Sequence, residues 1–342
     1  MLTYNLKMPQ PTISIILPVK NGMPYIADCL QSIVNQSFID WQLVVCNDNS
    51  TDGTAEVLAD FAQKDKRILV CENAGNGVIT ALQMAYSLSK GALITRMDAD
   101  DLMPENKLQI LHDLWQKKGR GHVITGKVRY FPETEIAGGF KKYEQWLNAL
   151  CDYGNHWDDL FKECVIPSPC WLLHRDDLEA CGAFNPHIYP EDYDLVFRFY
   201  EKGLKVLASK EVLHLWRDHS TRASRTNDLY RDQNFFELKV NYFLKWKLAK
   251  NKQLVIWGAS KKGKLLAKLF ETKGQSFQWI CNNPNKWNKH IGKVLMQAPN
   301  ALLAIDNPCV ILAVSSHTDR ADIFNLLQQK SLDKNNGYFD FC

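Results

Sequence analysis

The chain has 342 residues, of which 46% are hydrophobic and 23% are charged, an ordinary balance for a globular protein. This composition excludes the disordered, collagen-like and low-complexity classes, and the length predicts two domains. The net charge of only +3, from 41 basic and 38 acidic side chains, argues against nucleic acid as the main partner and leaves a small anionic substrate open.

Residues 1–10 have no apolar stretch long enough for a signal peptide, and no run of about 18 apolar residues occurs anywhere. The ten cysteines are scattered and form no C-x-x-C pair, which favours reduced thiols in the core. We therefore expect a cytoplasmic protein without a transmembrane segment.

The first part of the chain alternates strand-like and helix-like segments. Short apolar runs predict strands at 13–17, 43–46, 68–71 and 93–97, and the segments between them have helical spacing. This pattern is typical of βαβ units in a largely parallel sheet, whose ligands bind beyond the carboxyl ends of the strands. Polar loops follow three of these strands, so we expect them to converge on one edge.

The pattern is less regular between residues 121 and 190. Aromatic residues cluster at 143–146 and 157–161, which suits a region that shapes an acceptor pocket. Residues 229–250 then predict an amphipathic helix, with apolar residues near one face and lysines around the other. Either interdomain packing or an anionic membrane explains that helix.

A second α/β pattern begins after this helix. We expect a domain over 1–225, a helical linker over 226–250 and a small Rossmann-like domain over 251–342. Gly258 and Gly263 have four residues between them and do not form the G-x-G-x-x-G pattern of dinucleotide sites. A structural or docking role is favoured over NAD binding. The predicted strands lie at 253–257, 277–281 and 309–314, and the predicted helices at 264–272 and 319–329.

Asp98 and Asp100 follow the fourth strand, and both side chains project to one side if the extended geometry continues. Paired carboxylates suit Mg²⁺ or Mn²⁺, which prefer oxygen ligands and bridge to substrate phosphates. The alternative is that Asp98 to Asp101 cap the helix announced by Pro104.

Asp48 lies in an Asp-x-Ser-x-Asp-Gly loop after the second strand, where its carboxylate can accept hydrogen bonds from a ribose or a base. Asp52 is expected to cap the following helix. Glu191 and Asp192 open a predicted helix after Pro190. Taken alone, acidic residues at a helix start are explained by the helix dipole. Their combination with loops that bind a nucleotide and a metal favours a catalytic role instead.

The segment from residue 213 to residue 225 is basic. Its arginines and histidines, including Arg217, Arg222 and His219, can fold over a diphosphate through charge-assisted hydrogen bonds. The alternative is a solvated basic loop.

In combination, these motifs resemble the inverting family 2 glycosyltransferases. The matching segments, in the family's order, are SIILPVKNG, VVCNDNSTDGT, NAGNG, RMDADD and YPEDYDLVFR, within about residues 12–225. The region from GGFKKYEQWLN through WRDHSTRASRT and the small domain further resembles bacterial two-domain members. The resemblance implies an α/β protein with the A-type glycosyltransferase fold, a Rossmann-like, mostly parallel mixed sheet, and a small C-terminal Rossmann-like domain.

The resemblance also implies the roles of individual residues. Asp192 would be the general base, and Asp98 and Asp100 would bind Mn²⁺ or Mg²⁺, with Asp98 also near the ribose. Substrate contacts are implied for the remaining motif positions, namely Pro18, Asn21, Asp48, Gly77, Arg96, Glu191, Trp216, Arg217 and His219.

The implied activity is inverting transfer of a sugar from a nucleoside-diphosphate sugar, with a UDP-sugar favoured, to a glycan or lipid-linked acceptor in surface polysaccharide or glycoconjugate synthesis. Peripheral contact with the inner face of the membrane fits such an acceptor. Lys20, Asn47 and the Leu82-Gln83 pair depart from the family pattern and leave the sugar and base undecided. The alternatives are a non-catalytic nucleotide-sugar-binding or assembly protein, and a nucleotidyltransferase.

Overall fold

The computed structural model describes residues 10–132 and 138–342. Residues 1–9, where no signal peptide is expected, lie outside the described residues. The chain divides into two compact units: Met1–His156 with Val165–Arg225, and Trp157–Cys164 with Thr226–Cys342.

The first unit is built on a seven-stranded sheet of order β3-β2-β1-β4-β6-β5-β7. Its strands are β1 Ile13–Val19, β2 Trp41–Asn47, β3 Ile68–Glu72, β4 Leu93–Arg96, β5 His122–Pro132, β6 Trp171–His174 and β7 Lys205–Asp218. Its helices are α1 Ile26–Val34, α2 Thr54–Lys64, α3 Val78–Leu88, α4 Lys107–Lys118, α5 Gly138–Tyr153, α6 Arg175–Ala180 and α7 Glu191–Glu201, and α8 Ala223–Thr226 spans the boundary between the units.

The four strands at one end of this sheet are parallel, β6 is antiparallel to both neighbours, and β5 and β7 are parallel to each other. The sheet is therefore mixed and mostly parallel, as expected. The central strand β1 is almost wholly buried, because a parallel strand covered on both faces must be apolar throughout. The loops after β1, β2 and β4 leave the same edge of the sheet.

Gly91 permits a close approach at the opposite end of β4. A Cβ atom there would lie 2.5 Å from the backbone nitrogen of Ser14, so glycine alone fits beside β1. The amide of Gly91 donates to Ser14 Oγ at 2.8 Å. This contact fixes the start of the strand that leads into the Asp98 loop.

The second unit is a six-stranded sheet of order β10-β11-β9-β8-β12-β13, parallel except for the β10–β11 pair. Its strands are β8 Gln253–Trp257, β9 Gln278–Ile280, β10 His290–Ile291, β11 Val294–Gln297, β12 Pro308–Leu312 and β13 Tyr338–Asp340. Its helices are α9 Asp232–Trp246, α10 Lys261–Thr272 and α11 His317–Gln329. Short 3-10 helices lie at His156–Asp159, Asp228–Tyr230, Pro284–Lys286 and Pro299–Ala304.

Phe161, from a segment expected near an acceptor pocket, lies instead in the aromatic core of this second unit. Its ring stacks on Phe341 at 5.4 Å and meets Phe243 and Phe339 edge-on. It is 4% exposed, so it is a packing residue.

Among the described residues, no helix is long and apolar enough to cross a membrane.

Candidate active site

The loop after β4 carries the candidate metal ligands. The strand ends at Arg96 and a turn follows at Ala99 and Asp100, so the extended geometry assumed for Asp98 and Asp100 does not continue. The capping alternative is also wrong, because the N-cap of α4 is Asn106. A backbone bridge between Leu102 and Leu215 of β7 holds the loop instead.

Asp100 is bound to the basic segment that follows β7. Its Oδ2 lies 2.9 Å from His219 Nε2, and the other ring nitrogen of His219 lies 2.9 Å from Thr221 Oγ1. Burial favours the neutral carboxyl, but the hydrogen bond with His219 and the charge of Arg222 outweigh it and lower the pKa of Asp100. Asp100 is therefore an ionised carboxylate.

Asp101 joins the same two elements from the buried side. Its Oδ2 lies 2.9 Å from His214 Nε2, and its Oδ1 accepts a hydrogen bond from the backbone amide of Arg217 at 2.8 Å. Both side chains of the Asp101–His214 pair are fully buried. The guanidinium of Arg217 donates to the carbonyl oxygen of Asp100 at 2.9 Å and reaches Asp28 at 3.2 Å. Thus Asp101 and Arg217 together fix the backbone on which Asp100 is carried.

Arg96 connects the Asp98 loop to the start of α7. Its Nε lies 3.1 Å from Asp98 Oδ1, and its Nη1 lies 3.0 Å from Glu191 Oε1. Burial raises the pKa of Asp98, Arg96 opposes that rise, and the negative charges of Asp100 and Glu191 add to it. The cation therefore holds two carboxylates, Asp98 and Glu191, 93 residues apart in sequence, at one place.

Asp192 is the next residue of α7 and stands in the first turn of the helix. Burial, followed by the negative charge of Glu191, raises its pKa from 3.8 to about 7, with Arg96 acting in the opposite direction. A carboxyl group that titrates near neutral pH is suited to general acid–base catalysis.

The loops after β1, β2 and β3 are joined by hydrogen bonds. The buried carboxylate of Asp48 accepts bonds from Asn73 Nδ2 at 2.6 Å and from the amide of Gly77 at 3.0 Å. Asn21 donates its amide to Ser50 Oγ and accepts from the amide of Thr51. Asp48 thus shapes the loop that leads into α3.

Asp52 and Pro18 frame these loops. Asp52 accepts a hydrogen bond from the amide of Thr54 at 3.0 Å and so stabilises the start of α2, although the N-cap residue is Gly53. Pro18 lies near the end of β1, opposite Cys46 of β2. Lys20 follows that strand and lies 3.8 Å from Asp48.

Trp216 is 6% exposed and lies in an aromatic cluster formed by β5, α5 and β7. Its ring is 5.0 Å from Tyr130 and 6.1 Å from Tyr143, and Tyr143 is 5.6 Å from Trp146. Tyr143 and Trp146 remain partly exposed. Arg225, expected beside a diphosphate, is paired with Asp218 at 2.7 Å.

The donor chemistry of the Asp98 loop fits a divalent cation. Among residues 10–132 and 138–342, no group of three His, Cys, Asp or Glu side chains is placed to hold a metal alone. Mg²⁺ and Mn²⁺ sites on phosphate substrates need only one or two carboxylates, because water and phosphate oxygens complete the coordination. Asp98 and Asp100 supply two such carboxylates on one turn.

Two buried charged residues beside the loop were not predicted to belong to the site. Asp101 is 1% exposed, and Lys107 is fully buried and donates to the carbonyl oxygen of Pro169 at 2.6 Å. Asp101 was visible only as part of an acidic run. Lys107 gave no signal, because a lysine in the first turn of an amphipathic helix is normally solvated.

Known glycosyltransferases are similar to this chain in sequence. Residues 14–182 match the model of glycosyl transferase family 2. Glycosyltransferase GlyG of Streptococcus pneumoniae is 28% identical over 224 residues, covering 63% of this chain and 73% of GlyG. Chondroitin synthase of Pasteurella multocida is 32% identical over 216 residues, but these are 60% of this chain and only 21% of the synthase.

Solved structures share the fold. S. aureus TarS in complex with UDP-GlcNAc superposes with a TM-score of 0.53 at 16% identity, covering 76% of this chain and 71% of that one. The mannosyltransferase PcManGT of Pyrobaculum calidifontis, in complex with GDP-Man and Mn²⁺, gives 0.52 at 18% identity, covering 70% and 64%.

The mostly parallel sheet with its loops at one edge is an A-type glycosyltransferase fold, and a second α/β sheet follows it. Residues 14–182 of this chain are a glycosyl transferase family 2 domain.

Proposed function

We propose that the chain transfers a sugar, with inversion, from a nucleoside-diphosphate sugar to an acceptor hydroxyl during polysaccharide or glycoconjugate synthesis. The observation that carries this proposal is Arg96, which bonds both Asp98 of the metal loop and Glu191 beside Asp192. A phosphate-binding loop and a separate carboxylate are what sugar transfer from a nucleotide donor requires. The catalytic domain in this proposal is residues 1–225.

Asp192 is the proposed general base. Its carboxylate accepts the proton of the acceptor hydroxyl while that oxygen forms a bond to the anomeric carbon. The bond from the anomeric carbon to the diphosphate oxygen breaks, and its electron pair leaves with the nucleoside diphosphate. Attack opposite the leaving group inverts the configuration. Positioned proton transfer of this kind contributes about 10²–10⁴-fold to the rate.

The diphosphate is proposed to bind at the turn that carries Asp98 and Asp100. Mn²⁺ or Mg²⁺, held by Asp100 and Asp98, would neutralise the charge that develops on the leaving group. Arg222 adds positive charge next to Asp100, and His219 holds the Asp100 carboxylate in place. The Asp48 carboxylate and the backbone amides around Gly77 are proposed to contact the nucleoside.

The acceptor is proposed to bind at the partly exposed rings of Tyr143 and Trp146, which lie in one cluster with the buried Trp216, since sugar rings present apolar faces to aromatic side chains. The complexes of TarS with UDP-GlcNAc and of PcManGT with GDP-Man support a nucleoside-diphosphate sugar as donor, and UDP-sugars are the first to test. We propose a cytoplasmic location for the reaction.

The test is release of nucleoside diphosphate from a panel of UDP-, GDP- and dTDP-sugars with Mn²⁺ or Mg²⁺. Wild type is compared with Asp100→Ala, with Asp192→Asn and with a matched control, Asp113→Asn, on the exposed side of α4. We expect metal-dependent turnover that the first two substitutions reduce by at least about 100-fold and the control leaves unchanged. Turnover that survives Asp192→Asn would overturn the assignment of the base.

A further inference from the structure

The positive charge of the second unit is concentrated in one part of its sequence. Residues 228–275, which contain α9 and α10, carry eleven lysines and arginines against four aspartates and glutamates. Residues 298–337, which contain α11, carry three against four. Residues 276–297 add three lysines, so most, but not all, of the net positive charge of this unit comes from the α9 and α10 region.

The topology separates these two regions in space. The connection from β8 through α10 to β9 and the connection from β12 through α11 to β13 run in opposite directions from the centre of the sheet. Right-handed crossovers in opposite directions place their helices on opposite faces. Because α9 packs on α10, the sheet has a basic face covered by α9 and α10 and a nearly neutral face covered by α11.

Helix α10 presents a row of lysines to solvent. Lys261, Lys264 and Lys268 are all exposed and are spaced three and four residues apart, so they share one side of the helix. Lys261 lies 3.4 Å from Asp232. Within the described ranges, neither Lys264 nor Lys268 has a carboxylate at ion-pair distance. The opposite side of the helix is buried through residues such as Leu266 and Phe270.

The chemistry of this face favours a lipid surface over a nucleic acid. Ten of the eleven cations are lysines, which act as point charges and lack the planar fork that reads phosphates and base edges. Partly exposed Tyr242 and Trp246 lie on α9 with Lys245 about equally far from both rings, at 6.0 Å and 5.9 Å. Tyrosine and tryptophan beside lysine are typical of the membrane–water interface.

We propose that the α9–α10 face of the second unit is a docking surface for an anionic phospholipid bilayer. Lysines near such a surface attract it within a Debye length, so binding depends on anionic lipid and weakens in salt. Loss of the three lysines of α10 is expected to weaken partition onto vesicles by roughly 100-fold.

The experiment is sedimentation of the full chain with vesicles of phosphatidylcholine alone or with about one third phosphatidylglycerol, at low and at high salt. The test variant is Lys261→Gln, Lys264→Gln and Lys268→Gln combined, because glutamine keeps helix propensity. The matched control, Lys66→Gln, Lys117→Gln and Lys118→Gln combined, changes the same net charge at exposed lysines of the first unit. Circular dichroism checks that both variants are folded.

Binding to anionic vesicles alone, lost in high salt and in the α10 variant but retained in the control, is the expected result. Equal binding by the two variants, or no binding of wild type to anionic vesicles at low salt, would overturn the proposal. Tighter binding to a single-stranded DNA oligonucleotide than to anionic vesicles would also overturn the proposal, provided that the oligonucleotide displaces the chain from the vesicles and that its binding depends on the same three lysines. Because binding is measured without a sugar donor, the outcome is independent of the proposed transferase activity.

Discussion

Replacing Asp192 with asparagine should stabilise the protein at neutral pH while it removes the proposed base. The folded-state pKa of Asp192, about 7, is raised from its ordinary 3.8. Between these two values the folded state holds a proton that the unfolded chain has released. The free energy of unfolding therefore falls as pH rises through this window, relative to a residue that never ionises.

The difference between the two pKa values corresponds to a free energy of roughly 4 kcal/mol, at about 1.36 kcal/mol for each pKa unit. Asp192 keeps some contact with solvent, so about 1–2 kcal/mol is a realistic gain. For a unit of about 200 residues this shifts the melting temperature upward by roughly 2–8 °C.

The assay is thermal unfolding of metal-free wild type and Asp192→Asn between pH 4.5 and pH 8. We expect a difference in melting temperature that is small at the acid end, grows toward pH 7 and then levels off. Asp113→Asn on the surface of α4 is the matched control and should give a small, flat difference. A difference for Asp192→Asn that is constant with pH, or a loss of stability at pH 7.5, would refute the argument that ionising this carboxylate is costly.

Three further changes test other parts of the account. Glu191→Gln removes the negative charge that is the second cause, after burial, of the raised pKa of Asp192. The rise of kcat/KM with pH should therefore move to lower pH, and an unchanged profile would show that Glu191 does not influence the ionisation of Asp192. His219→Ala frees the carboxylate that His219 holds, so the Mn²⁺ concentration for half-maximal activity should rise about 10–100-fold with a smaller effect in His219→Gln, whereas equal effects would contradict a positioning role. Phe161→Ala opens a cavity in the aromatic core of the second unit and should cost about 3–5 kcal/mol in urea unfolding, while a cost below 1 kcal/mol would show that the ring is not packed as described.

Seven of the strands in parallel pairs were predictable, because buried parallel strands are continuous apolar runs between turn residues; these are β1, β2, β3, β4, β8, β9 and β12. The run predicted at 253–257 is β8 itself, and the others differ from the observed strands by one or two residues at an end. The ladder between β5 and β7 was not predictable. β7 contains Lys210 and Glu211 and pairs with a strand about 80 residues earlier in the sequence.

The candidate site shows the same limit. The order of the motifs indicated which loops meet, but not which side chains bond across them. Asp101 pairs with His214, 113 residues later, and Arg96 pairs with Glu191 across 95 residues. Similarly, Phe161 has a local context that suits a pocket, while its partners Phe243 and Phe339 lie far from it in the sequence. Such pairings depend on tertiary packing and leave no local pattern.

Calorimetric titration of UDP, GDP and dTDP into wild type and Asp100→Ala, with and without Mn²⁺, tests the central claim most directly. The account predicts that at least one nucleoside diphosphate binds wild type in the presence of Mn²⁺, and that omitting the metal or substituting Asp100 weakens binding by about 100-fold. Failure of all three nucleotides to bind, or equal affinity in wild type and Asp100→Ala, would contradict it.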